Sequence, residues 1–381
     1  MPMLRGITWD HRRAMNPLTA TLPAFRREHP DVEVAWQTRS LHGFEFAPVS
    51  ELVRDFDLII LDHPFCGAIA QSKCLLALDD LLEGLDASFV GPSLASYRYD
   101  GHIWALPVDA ACQVAVSRPD LMAELGEPVP RKWEDMLALA RTSSRRGLKL
   151  AVAFKGVHSL MTFFTLCANL GSPCATEPGE PLVEAATARE ALGAMRRLAG
   201  LCPAEALDWN SIALHDAMVA RDDLVFCPAV YCYATYAEAD VRRPLRFHDL
   251  PGLVSADPRG STIGGTALGV SAHCAEPEAA LAYARFLSQQ RTQAEFARHH
   301  GQPARSEAWD TPEIDLRFGN CFSATRKTME ACWIRPRYDG YVAFQARGGE
   351  LVESHLRGDL DESALLALLA DLHRSGGTQP S

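Results

Sequence analysis

YRYDGHIWALPVD, residues 97–109, places Asp100-Gly101 between two short apolar-aromatic runs. A glycine behind an aspartate suits the positive φ of a tight two-residue turn, so the segment predicts a β-hairpin. The second run leaves through Leu106-Pro107-Val108-Asp109. Proline fixes φ there and is expected to stop the strand. Upstream of this hairpin the chain alternates strands and helices. Downstream it becomes mostly helical.

Toward the N-terminus, Leu4–Trp9 reads as a first strand. Asn16-Pro17 then looks like the start of a helix, with Asn as N-cap and Pro at the first helical position. Leu18, Leu22 and Phe25 share one face at i, i+4 and i+7, and His29-Pro30 ends the run. Val32–Trp36 alternates like a strand. Leu58-Ile59-Ile60-Leu61 is continuously apolar between Asp57 and Asp62, as suits a parallel strand buried on both faces. Strand, helix, strand, strand is the opening of an α/β lobe. Ligands in open α/β sheets bind beyond the carboxyl ends of the strands. That rule points to Trp9-Asp10-His11 and to Asp62-His63-Pro64-Phe65.

Beyond the hairpin, Gln113–Ser117 predicts a strand, and Pro130-Arg131-Lys132-Trp133 leads into a helix carrying Met136, Leu137 and Ala140. Helical patterns follow over 159–170, 184–200 and 210–220. Leu224–Cys227 is a short strand, after which Pro228 is expected to open a helix-like stretch with Tyr231, Tyr233 and Tyr236. Gly264–Val270 is a glycine-flanked strand, and 276–289 is an amphipathic helix. Helices near 324–332, 338–357 and 362–373 complete the chain.

At 381 residues the chain suits two domains. A net charge of −11 argues against a nucleic-acid partner, whose phosphates would be repelled. No apolar run approaches the roughly 20 residues needed to cross a bilayer. The N-terminus, MPMLRGITWDHRRAM, lacks the apolar stretch of a secretory signal, which predicts a leaderless, cytoplasmic protein. Eleven cysteines, with no CxxC or Cys/His zinc spacing, read as reduced small hydrophobes and support the same compartment.

Several segments together resemble the family 1 extracellular solute-binding proteins, the carbohydrate-type partners of ABC importers. DLIILDHPFCGAIAQSKCLLALDDLL (57–82) is similar to the family's strand, ligand loop and leucine-rich segment. DGHIWALPVD (100–109) resembles its turn followed by an aromatic and Leu-Pro. SRPDLMAELGEPVPRKWEDMLALAR (117–141), GGTALGVS (264–271) and HGQPARSEA (300–308) resemble further family segments. The resemblance spans about residues 4–375. It implies a two-lobed periplasmic-binding-protein-like fold of type II. Each lobe is a mainly parallel α/β sheet flanked by helices, and a ligand cleft lies between the lobes. Lobe one would be 1–108 plus 260–310, and lobe two 109–259 plus 311–381. The implied function is closure on a small polar organic ligand, such as a sugar, without chemical change or cofactor. The implied partner is an ABC permease for an exported copy, and the implied location is periplasmic if a leader has been removed. Carried onto matching positions, the ligand-binding residues are Trp9, Asp10, Asp62, His63, Asp109, Tyr231, Gly264, Gly265 and Tyr338.

The missing leader and the cysteine count depart from that family. They raise an alternative, a cytosolic enzyme on the same fold. Asp10-His11 and Asp62-His63 end two neighbouring strands, where carboxylate and imidazole suit an acid–base pair or half of a divalent-metal site. His11, Asp62 and His63 would then be the catalytic groups, with His158 as a third imidazole. The structural alternative is that each Asp caps a turn and each His bonds locally. Neighbouring side chains point to opposite sides of a strand, so at most one of each pair is expected to reach a ligand. Cys66 reads as a structural thiol, and Arg335-Pro336-Arg337-Tyr338 as a solvated turn or an anion contact.

Overall fold

The computed structural model describes residues 2–82 and 88–377. The chain divides into two compact units. Unit 1 is Met1–Ala111, Gly264–Ile314 and Arg337–Val342; unit 2 is Cys112–Ile263, Asp315–Pro336 and Ala343–Ser381. Residues 109–111, 311–314 and 337–342 thus fall in unit 1 against the expected second lobe, and 260–263 in unit 2 against the expected first.

In chain order the strands are β1 (Met3–Trp9), β2 (Glu33–Arg39), β3 (Leu58–Leu61), β4 (Arg98–Tyr99), β5 (His102–Ile103), β6 (Leu106–Ser117), β7 (Lys149–Leu150), β8 (Leu224–Tyr231), β9 (Arg246–His248) and β10 (Ile263–Val270). In unit 1, β1 is parallel to both β2 and β3, and β10 runs antiparallel to β3. Alternation along β3 divides the core. Leu58 and Ile60 join Leu4, Leu18, Phe25 and Tyr283 on one face, while Ile59 and Leu61 join Ile7, Phe65, Ile69 and Tyr97 on the other. Each such aliphatic side chain stabilises the fold by about 1.5–3 kcal/mol when fully buried. The continuous apolar run is therefore a strand covered on both sides, as its composition predicts.

The first helix spans Arg12–Glu28 rather than opening at Asn16. His11 is its N-cap, its Nδ1 accepting from the Arg13 backbone N–H at 3.1 Å. Pro17 lies inside the helix, where it has no backbone N–H to donate. The extra first turn is tied to His11, whose carbonyl accepts from the N–H groups of Ala14 and Met15, and its Arg13 side chain makes the ion pair described below.

The hairpin forms as read, with Arg98 opposite Ile103 and Tyr99 opposite His102. Both turn residues take positive φ, Asp100 at 50° and Gly101 at 80°. Pro107, however, does not end a strand. It is the second residue of the twelve-residue β6, a position at which proline removes no needed ladder bond. Pro228 likewise lies inside β8, not at a helix start. The β6–β8 register shifts between Val114 and Val116, opposite residues 227–230, and this irregularity accommodates the proline.

Unit 2 carries a mixed sheet rather than a mainly parallel one. β8 is antiparallel to β6 and parallel to β7, and β9 is antiparallel to β6. Every residue of the helix Val157–Asn169 is buried. The other helices there, including Trp133–Ser144, Ala185–Leu201, Ser211–Ala220 and Cys321–Glu330, bury one stripe each.

Candidate functional site

In unit 1 the parallel strands β2, β1 and β3 deliver Arg39, Trp9-Asp10-His11 and Asp62-His63 to one edge of the sheet. Asp10 is exposed, and its backbone N–H donates to the Arg39 carbonyl at 2.8 Å. Asp62 is partly exposed and caps the following turn, its Oδ1 accepting from the His63 N–H at 2.8 Å. The same oxygen lies 2.9 Å from His63 Nδ1. His63 itself is fully buried beside Tyr97. The turn that Asp62 caps thus leaves the aspartate outward and the imidazole inward. Trp9 is buried, its ring 5.2 Å from that of Phe44.

Asp109 is engaged by a partner that spacing gave no reason to expect. Arg13, 96 residues away, donates from Nε to Oδ2 at 2.7 Å and from Nη2 to Oδ1 at 2.5 Å. The side chains are 4% and 7% exposed, so this bidentate pair is out of water. Burial pushes the Asp109 carboxyl upward, and Arg13 opposes that shift without cancelling it. The pair borders a small pocket of about 10 Å³ against the helix Arg12–Glu28, lined also by Thr8, Thr266 and Gln302. That volume holds no more than about one water molecule, so it is no sugar site.

Gly264 is buried, and Gly265 takes a φ of 89°. A Cβ at Gly265 would lie 2.4 Å from the Asp109 carbonyl oxygen. The glycine therefore serves close backbone approach, with Tyr97 Oη donating to the carbonyls of Leu61 at 3.2 Å and Gly265 at 3.4 Å. Tyr338 is buried, edge-on to Tyr341 at 5.6 Å. Beside it Arg337 donates to the carbonyls of Ala95, Ser96 and Arg98. Arg335, in unit 2, is buried and donates to the Ile263 carbonyl and Gln345 Oε1. These contacts tie down backbone carbonyls, so neither arginine stands in a solvated turn.

Tyr231, at the end of β8 in unit 2, is partly exposed and donates to Thr262 Oγ1 at 3.2 Å. Tyr233 is core, and Tyr236 stacks on His215 at 4.9 Å. His158 is buried, with Nδ1 3.2 Å from Ser211 Oγ. Burial, then the positive charges of Arg335 and Lys155, hold its pKa down at about 4. Burial pushes the Cys66 thiol up to about 12. Among the described residues no three His, Cys, Asp or Glu side chains are grouped as metal ligands would be.

Arg39 was also missed in the sequence. Its guanidinium lies 5.5 Å over Phe44, and Nη2 reaches the Ile60 carbonyl at 3.4 Å. Burial lowers its pKa to about 10. The available signal was its position at the end of a strand parallel to β1.

Residues 50–315 match the bacterial extracellular solute-binding protein family, and the chain belongs to that family. It is a family of binding proteins, which leaves the acid–base reading of His11, Asp62 and His63 without support. No curated protein matches the sequence. Solved structures share the fold at low identity. Maltose-bound MalE3 of T. maritima is 18% identical, covers 98% of this chain and 100% of its own, and superposes with a TM-score of 0.85. An ABC-transporter solute-binding protein of Thermotoga lettingae, bound to α-D-tagatose, is 14% identical over 99% and 100% of the two chains, with a TM-score of 0.84. One from Agrobacterium radiobacter in complex with ribitol is 17% identical over 98% of each, with a TM-score of 0.81. The chain thus has the two-lobed fold of the sugar-binding ABC proteins, and it is a solute-binding protein.

Proposed function

We propose that the solute is a sugar or polyol, held in part by polar side chains at the carboxyl edge of the unit 1 sheet. The observation that carries this reading is the outward placement of Asp10 and Asp62 at the ends of adjacent parallel strands, the position at which α/β sheets bind ligands. Carboxylates accept from vicinal hydroxyls, and Arg39 adds donors on the same edge. Within unit 2, Tyr231 is partly exposed and keeps, from the family resemblance, a ring suited to a sugar C–H face. Trp9, His63, Asp109, Gly264, Gly265 and Tyr338 act behind these groups, fixing the strand ends and the backbone near them. The solutes named in the related structures support the same class.

Isothermal titration with maltose, tagatose, ribitol and mannitol tests this reading. Asp10→Asn and Asp62→Asn each keep the side chain's size and should weaken the solute that binds by tenfold or more, about 1.4 kcal/mol, while melting stays near wild type. Unchanged affinity in both variants would refute the assignment.

The family carries an ABC permease as partner for an exported copy. We propose instead a cytoplasmic residence, supported by the cysteine usage: eleven, an odd number, with no CxxC spacing. Cell fractionation with an antibody to the chain decides it; recovery from the periplasm or medium restores the permease.

A further inference from the structure

Within unit 2, Cys232 follows the end of β8 and Cys321 opens the helix Cys321–Glu330. The two sulfurs lie 3.4 Å apart, and both residues are buried, at 4% and 1% exposure. They are 89 residues apart in sequence. The chain between them includes the whole of the 264–314 segment assigned to unit 1. We propose that Cys232 and Cys321 are the site of a structural disulfide, formed when the chain folds in the presence of a small disulfide oxidant such as oxidised glutathione.

The geometry asks for little. Closing from 3.4 Å to a bond of about 2.05 Å requires small side-chain rotations, because the sulfurs already face each other. The neighbouring thiols are placed differently. Cys332 Sγ is turned to the Met329 carbonyl at 3.0 Å, and the Cys112 thiol hydrogen-bonds to the Ser261 side chain. In the step itself one thiolate attacks glutathione disulfide, forming a mixed disulfide and releasing one glutathione thiolate. The second cysteine thiolate then displaces the second glutathione. The protein loses two protons and two electrons, and one glutathione disulfide becomes two glutathione thiols.

Burial, reinforced by the Cys232 thiol beside it, holds the Cys321 thiol far above its ordinary range, and thiolate is the reacting form. The finished fold therefore reacts slowly, and the bond forms during folding, while the sulfurs still meet solvent. A cross-link over so long a loop removes much conformational freedom from the unfolded chain.

The test refolds the full-length, fully reduced protein in a glutathione redox buffer, with dithiothreitol in a parallel sample. Free thiols are then blocked and the peptides mapped by mass spectrometry. The expected result is a peptide pair joining Cys232 to Cys321, with a melting temperature several degrees above the dithiothreitol sample. Dithiothreitol added under denaturing conditions should abolish the difference, and C232A and C321A should each lack it. The same mapping on protein secreted into an oxidising periplasm frees the test from refolding yield. Both thiols blocked in soluble, glutathione-refolded protein would overturn the proposal. So would cross-links found only elsewhere, for example between Cys167 and Cys174.

Discussion

Arg13 and Asp109 carry opposite charges out of water, and each is tolerable only because of the other. Arg13→Met keeps much of the side chain's bulk but leaves the carboxylate buried without its cation. It should lose about 3–5 kcal/mol by urea denaturation. The double variant Arg13→Met/Asp109→Asn should recover much of that loss, and a double variant as unstable as the single one would contradict the pairing. His158 sets a second, pH-dependent term. Its pKa is about 4 in the fold against 6.5 in the unfolded chain, so between those values the unfolded state binds the extra proton. The contribution of neutral His158 is fully present above pH 6.5 and is lost as pH falls toward 4. At about 1.36 kcal/mol per unit, the displacement is worth roughly 3 kcal/mol. Stability measured from pH 7 to 4 should fall less steeply in His158→Gln than in wild type; parallel curves would show that His158 is not the titrating group.

Two glycines separate backbone strain from close packing. Gly101 has positive φ and open space around its Cα, so Gly101→Ala should cost only the left-handed penalty, about 1–2 kcal/mol. Gly265→Ala adds a collision with the Asp109 carbonyl to the same penalty. It should destabilise several-fold more, as read from paired denaturation midpoints. Equal effects would mean that the β6 backbone yields freely. Local chemistry of this kind was legible in the sequence. The Asp100-Gly101 turn and the continuous apolar run of β3 each follow from residues a few positions apart. The misread elements were those in which tertiary contacts overrode a local signal. Pro107 and Pro228 read as stops because proline breaks ladders. Each sits where the ladder does not need its N–H, and only the pairing of distant strands reveals that. Asn16-Pro17 made a convincing helix start, but the helix begins a turn earlier, capped by His11.

For the whole molecule, the segments quoted from the sequence were enough to recognise the family, and residues 50–315 and the shared fold agree with that recognition. The site was less legible. Strand-end placement pointed to the Asp10-His11 and Asp62-His63 pairs, and alternation allowed at most one member of each to reach a ligand without saying which; the structure leaves Asp10 exposed and buries His63. Nothing in the spacing showed that Asp109 was taken by Arg13 or that Arg39 shares the edge, because those relations depend on strand order. The most direct measurement of the central claim is titration calorimetry of the purified protein against a panel of sugars and polyols, with the solute recovered and analysed afterwards. The account predicts saturable binding of at least one member, one solute per chain, recovered unaltered and indifferent to chelator. A solute recovered chemically changed would contradict it, as would a panel that leaves the protein unbound while an unrelated class of solute saturates it.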